Sequence, residues 1–193
     1  MSIFDKLKKN AIGQPNSTTA NEALSTAQKE TFVFRALPES LAELQALDEA
    51  ALGSPFGTAA LTVCALCAYA ADKSIGAEML NFLKGPKPLS SYDISFLNDR
   101  FSDGAHVPFS YFKGAVPEND YTPDEPFTVT VEAGVYSDAN AADGYKKLFI
   151  RSGGADSPRE ILLRRRGSDG KWFLWEQYLM LSIKDPKSAD PWA

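Results

Sequence analysis

The chain has 193 residues, of which 23% are charged and 44% hydrophobic, and its net charge is −5. That size and balance fit one globular domain with a substantial core. The acidic balance argues against nucleic acid or an anionic membrane as partner, and two cysteines are too few for a disulfide scaffold.

The opening MSIFDKLKKN lacks the apolar stretch of a secretion signal. Ile3, Phe4 and Leu7 share one helical face beside Lys6, Lys8 and Lys9, a pattern that fits a short docking helix or a frayed terminus. Residues 10–31 are small, polar and weakly periodic. Residues 1–35 are therefore expected to form a flexible arm, and residues 36–193 a single domain.

Helical spacing begins after the arm. Ser40 and Glu43 have capping-box spacing, and Leu41, Leu44, Leu47 and Ala51 follow before Gly53 stops the helix. Ser54 and Pro55 suit the N-cap and first turn of a second helix. Residues 53–71 carry no charge, but they are rich in Ala, Gly and Thr and start with a turn and a cap. They read as the most enclosed helix of a globular core, not a membrane span. Cys64 and Cys67 lie inside it, where sulfur behaves as a small hydrophobe, so no redox pair is expected. In the third helix Ile75, Met79, Phe82 and Leu83 make one face, and Gly85-Pro86 ends it. The fourth starts near Ser90 with Asp93 three residues on, carries Ile94, Leu97 and Phe101, and stops at Gly104.

Residues 105–126 contain four prolines and several aromatics, which predicts a long ordered loop with at most one short strand. Period two then appears: Phe127, Val129 and Val131 alternate with Thr128, Thr130 and Glu132. Three further strands are expected at 145–151, 159–166 and 171–179, the last two joined at Asp169-Gly170. Helices first and strands after predict an α+β fold, with N-terminal helices packed on a C-terminal antiparallel sheet of four to five strands. Phe173 and Trp175 point one way and Trp172 and Leu174 the other, so a second apolar face needs cover. The 105–126 loop, a ligand or a partner subunit would supply it, the last making a homo-oligomer.

The one candidate for ligand chemistry is FIRSGGADSPREILLRRR, residues 149–166. Gly153 and Gly154 can take left-handed angles, so their N–H groups could converge on an anion with Arg151 and Arg159 at either end and Ser152 and Ser157 between. No Lys-Ser/Thr pair follows the glycines and no helix starts there, so a P-loop is excluded. The competing structural role is a hairpin loop held by Asp156, Ser157 and Pro158. Arg164, Arg165 and Arg166 form either a solvated strand edge neutralised by Glu160 and Glu176 or a site for an acidic partner. His106 is the sole histidine; with Ser110 and Asp103 it lacks any nucleophile-elbow context. No catalytic residue, metal site or cofactor is expected.

Four segments together resemble a bacterial family of domains of unknown function, met chiefly in Gram-positive anaerobes. They are FLKGPKPLSSYDISFLNDR (82–100), VPFSYFKGAVPENDYTP (107–123), residues 149–166 and KWFLWEQYLMLSIKDP (171–186). The resemblance covers about residues 35–193, implies a bacterial, cytoplasmic protein and transfers no role to any residue. The function expected is a non-catalytic binding or protein-interaction module, the partner being a protein or a small anionic ligand. The alternative is an enzyme or sensor that binds a small phosphorylated or carboxylated molecule at 151–159.

Overall fold

The computed structural model describes residues 28–189, 191 and 192. The docking helix and most of the linker lie outside the described residues. Five strands form one antiparallel sheet in the order β1-β2-β3-β4-β5: Lys29–Phe34, Phe127–Glu132, Tyr145–Ile150, Arg159–Arg165 and Trp172–Gln177. Four helices precede β2: α1 (Leu41–Gln45), α2 (Pro55–Ala71), α3 (Lys73–Lys84) and α4 (Ser91–Arg100). The α+β expectation holds.

β1 corrects the boundary of the arm. Residues 29–34 pair with the whole of β2, from Lys29 opposite Glu132 to Phe34 opposite Phe127. The Thr31 and Thr130 hydroxyls meet at 3.0 Å across that pair. KETFVF supplies the alternation a strand needs, but its partner lies on the far side of all four helices.

Ser54 Oγ accepts the Phe56 N–H at 3.2 Å and starts α2, and every residue from Phe56 to Tyr69 is buried. Against it packs α3, where Gly76 lets the backbones close up: a Cβ there would sit 2.3 Å from Tyr69 Cα. The sheet contributes Val129, Val131, Leu148, Ile150, Ile161 and Leu163 to the same core. The helix expected to run from Leu41 to Ala51 is broken instead. α1 ends at Gln45, a separate turn spans Asp48–Ala51, and Leu52 takes φ 58°. That break aims the Leu52 carbonyl at the Trp172 N–H, 2.8 Å away, and so ties the first helical segment to β5.

The cover on the second face also differs from expectation. Residues 105–126 contain the turns Val107–Tyr111 and Pro117–Asn119 and no strand, and the first of these packs on α2. Over β5 the α3–α4 connection does the covering. Gly85, at φ 57°, lies so close to the Phe173 ring that a Cβ would come within 2.3 Å of it. α4 is anchored lightly. Its capping box is complete, with Ser90 N–H on Asp93 Oδ2 at 2.8 Å and Asp93 N–H on Ser90 Oγ at 3.2 Å, yet within the helix only Leu97 is buried. Ile94, expected on its core face, is 40% exposed.

Candidate functional site

The 151–159 loop joins β3 to β4, and its donors bind the protein itself. Gly153 N–H donates to Ser110 O at 2.8 Å and Gly154 N–H to Ser152 Oγ at 3.0 Å. Ser152 Oγ in turn lies 2.7 Å from Ser110 Oγ, which donates to Val107 O at 2.6 Å. Arg159 grips the chain after β5: Nε donates to Leu181 O at 2.8 Å, and other guanidinium N–H groups reach Ser182 O at 2.6 Å and Ser157 O at 3.0 Å. Neither glycine is among the residues with positive φ. They serve close approach instead: a Cβ would fall 1.9 Å from Ala115 O at Gly153 and 2.0 Å from the Tyr121 hydroxyl at Gly154.

Arg151 turns to the opposite side of the loop. Its Nε is 3.3 Å from Glu132 Oε1, which also lies 3.0 Å from Lys29 Nζ. Glu132 is 3% exposed, and among the described residues its Oε2 has no hydrogen-bond partner. The structure thus brings Arg151, Ser152 and Gly153 together with Ser110 and Glu132 around a shallow recess of about 360 Å³, and directs Gly154, Ser157 and Arg159 elsewhere. An anion in that recess would meet a buried carboxylate, which opposes the anion cradle expected from the sequence.

His106 stacks on Tyr121, with ring centroids 5.2 Å apart, and burial holds its imidazole below the usual range. Ser110 is engaged by Val107 and Ser152, so no hydroxyl–imidazole pair forms. Burial pushes both cysteine thiols of α2 up, against thiolate chemistry. Among the described residues no group of three His, Cys, Asp or Glu side chains could hold a metal ion. No helix among them is long and apolar enough to cross a membrane.

A second basic region is differently arranged. The β4–β5 register shifts between Leu162 and Leu163: Leu163 faces Leu174 and Leu162 faces Glu176, which leaves Trp175 as the extra, bulged residue on an edge strand. Bulged out, Trp175 becomes the centre of a cation–aromatic cluster. Lys87 Nζ lies 4.3 Å and the Arg164 guanidinium 4.6 Å from its ring centroid, and Tyr145 meets it edge-on at 5.6 Å. Lys84 Nζ donates to the Trp175 carbonyl at 3.2 Å. The carboxylates expected to neutralise the arginines are engaged otherwise. Glu160 pairs with Lys147 at 2.9 Å, and Glu176 accepts the Tyr178 hydroxyl at 3.0 Å. Asp169 takes Arg166 and is held at a pKa of about 2 by that contact. Among the described residues Lys84, Lys87, Arg164 and Arg165 make no ion pair.

Two cavities meet at this cluster and share Lys84, Leu174 and Trp175 as walls. One, of about 400 Å³, lies between α4 and the end of β5 on a floor of Leu66, Leu80 and Leu97. The other, of about 410 Å³, is walled by Lys87, Arg164, Arg165 and Arg166. Tyr92, 78% exposed, and Tyr178, 42% exposed, stand on the rim of the first. Burial lowers the Lys84 pKa, with Asp93 and Glu176 opposing and Lys87 acting in the same sense as burial. Burial opposes the charge on Asp93, but the Ser90 hydrogen bonds, Lys84 and Lys87 keep its carboxyl below the usual range. Sequence reasoning found the three arginines and missed the rest, because the cluster is assembled from the α3–α4 turn, β3, β4 and a bulge.

No curated protein and no solved structure matches this chain. A family profile described as a domain of unknown function, DUF6935, matches residues 36–187, and the chain belongs to that family.

Proposed function

We propose that the domain is a non-catalytic binding module whose recognition surface is the two-chambered groove along β5, and that its partner is an acidic polypeptide segment. The observation that carries this reading is a set of cations, Lys84, Lys87 and Arg164, that make no direct ion pair among the described residues and are held against Trp175 beside an apolar chamber. Each chamber lies within the range of about 300–1,000 Å³ usual for ligand sites. Trp, Tyr and Arg are the residues that dominate binding energy at protein interfaces. In a chain of net charge −5, a local basic groove selects an acidic partner by complementarity and speeds its approach. The buried, unpaired Cys64 and Cys67 support a reducing compartment, and we place the protein in the bacterial cytoplasm.

The test is selection of a random peptide library on the purified full chain. Enrichment of peptides that combine acidic and apolar residues, lost in Arg164→Glu and in Lys87→Glu, is the expected result. A library that yields no binders, or binders indifferent to both substitutions, overturns the reading.

A further inference from the structure

We infer that the segment taken by the groove is extended, with an apolar side chain in the α4–β5 chamber and a carboxylate two residues away over Lys84, Lys87 and Arg164. This inference rests on the binding function proposed above and names the form of the partner.

The first ground is the free edge of β5. Backbone groups that turn outward from an edge strand need partners. At Trp172 the protein supplies both: its N–H donates to Leu52 O at 2.8 Å, and its carbonyl accepts the Thr58 hydroxyl at 3.0 Å. At Trp175 the carbonyl accepts a hydrogen bond from the Lys84 ammonium at 3.2 Å. A long, rotatable side chain there occupies the place of a neighbouring strand's N–H. It is a replaceable cap, whereas the backbone contact at Trp172 is fixed by the fold.

The second ground is spacing. In an extended chain, residues i and i+2 face the same way about 7 Å apart. Lys84, Leu174 and Trp175 line both chambers, so the chambers adjoin and two same-facing side chains of one extended segment can enter one each. A helix would instead present residues three or four apart and would leave no backbone N–H for the Trp175 carbonyl.

The third ground is charge. When a partner N–H takes the Trp175 carbonyl, the Lys84 ammonium turns to the incoming carboxylate and stays hydrogen-bonded in a partly desolvated site. Lys87 and Arg164 already stand at the Trp175 ring, so the cationic wall needs little reordering.

The experiment uses the tightest library peptide, labelled and titrated against the full chain by fluorescence anisotropy. With the wild-type protein, N-methylation of the peptide backbone should weaken binding tenfold or more at alternate positions and little between them. Replacing the acidic residue by its amide should cost tenfold or more against the wild type and less than threefold against Lys84→Met, whose fold is checked by circular dichroism. A peptide that binds but shows no alternation on N-methylation overturns the extended form while leaving the binding module standing. So does a carboxylate whose loss costs as much with Lys84→Met as with the wild type. Failure to select any peptide overturns both.

Discussion

The 151–159 loop and the groove along β5 are both rich in cations, and they differ in what those cations touch. In the loop, Arg159 holds Leu181, Ser182 and Ser157, and the Gly153 and Gly154 amides hold Ser110 and Ser152. In the groove, Lys87 and Arg164 rest on aromatic rings and make no direct ion pair among the described residues. A donor already matched to acceptors of the chain itself belongs to the fold; one held ready without a direct ionic partner is available for a ligand.

Substitutions sharpen that contrast. The largest effect is expected for Gly153→Ala, where the new methyl meets the Ala115 carbonyl oxygen at 1.9 Å. A loss of about 3 kcal/mol is expected in urea unfolding. Arg159→Ala should follow at about 2 kcal/mol, since it leaves the Leu181 and Ser182 carbonyls without their donor. Little change in stability from either variant would remove the loop from the structural class.

Tyr121→Phe should cost about 1 kcal/mol, through loss of the 2.7 Å hydrogen bond to Lys184 O. It should also change the alkaline limb. Burial first, then Asp185 and Glu118, raise the Tyr121 pKa from 10 to about 12, so the folded state favours the neutral phenol. That contribution is complete below pH 10 and lost as pH rises from 10 towards 12, because the unfolded chain releases its proton first. Stability measured across this window should fall less steeply in Tyr121→Phe than in the wild type. The smallest effect is expected in the groove: Arg164→Ala removes two aromatic contacts, 4.6 Å and 5.0 Å from their ring centroids, and should cost at most about 1 kcal/mol. A large loss of stability there would assign Arg164 to the fold and erase the contrast.

Much of the architecture was legible because it is local. Ser90 and Asp93, three apart, form the capping box that their spacing announces. Asp169-Gly170 makes the hairpin turn, with Gly170 at φ 74°. Long-range pairings left no such trace. KETFVF reads as the end of a polar arm until β2, almost 100 positions later in the chain, comes alongside it. Gly153 and Gly154 announce freedom of φ but serve contact with Ala115 and Tyr121, which belong to another loop. The groove was hidden for a further reason. Alternation along β5 places Trp175 on the face of Phe173, whose cross-strand partner is Arg164, but nothing in the sequence announces that Lys84 and Lys87, some 90 positions earlier, come to the same ring.

The most direct measurement is a map of backbone amide chemical-shift changes in the isotope-labelled full chain on titration with a library-selected acidic peptide. Changes concentrated on Lys84–Leu89, Tyr92 and Leu174–Tyr178, with residues 151–159 unmoved, are the predicted result. Changes concentrated on 151–159, or none at saturating peptide, would contradict the assignment of the β5 groove as the binding surface.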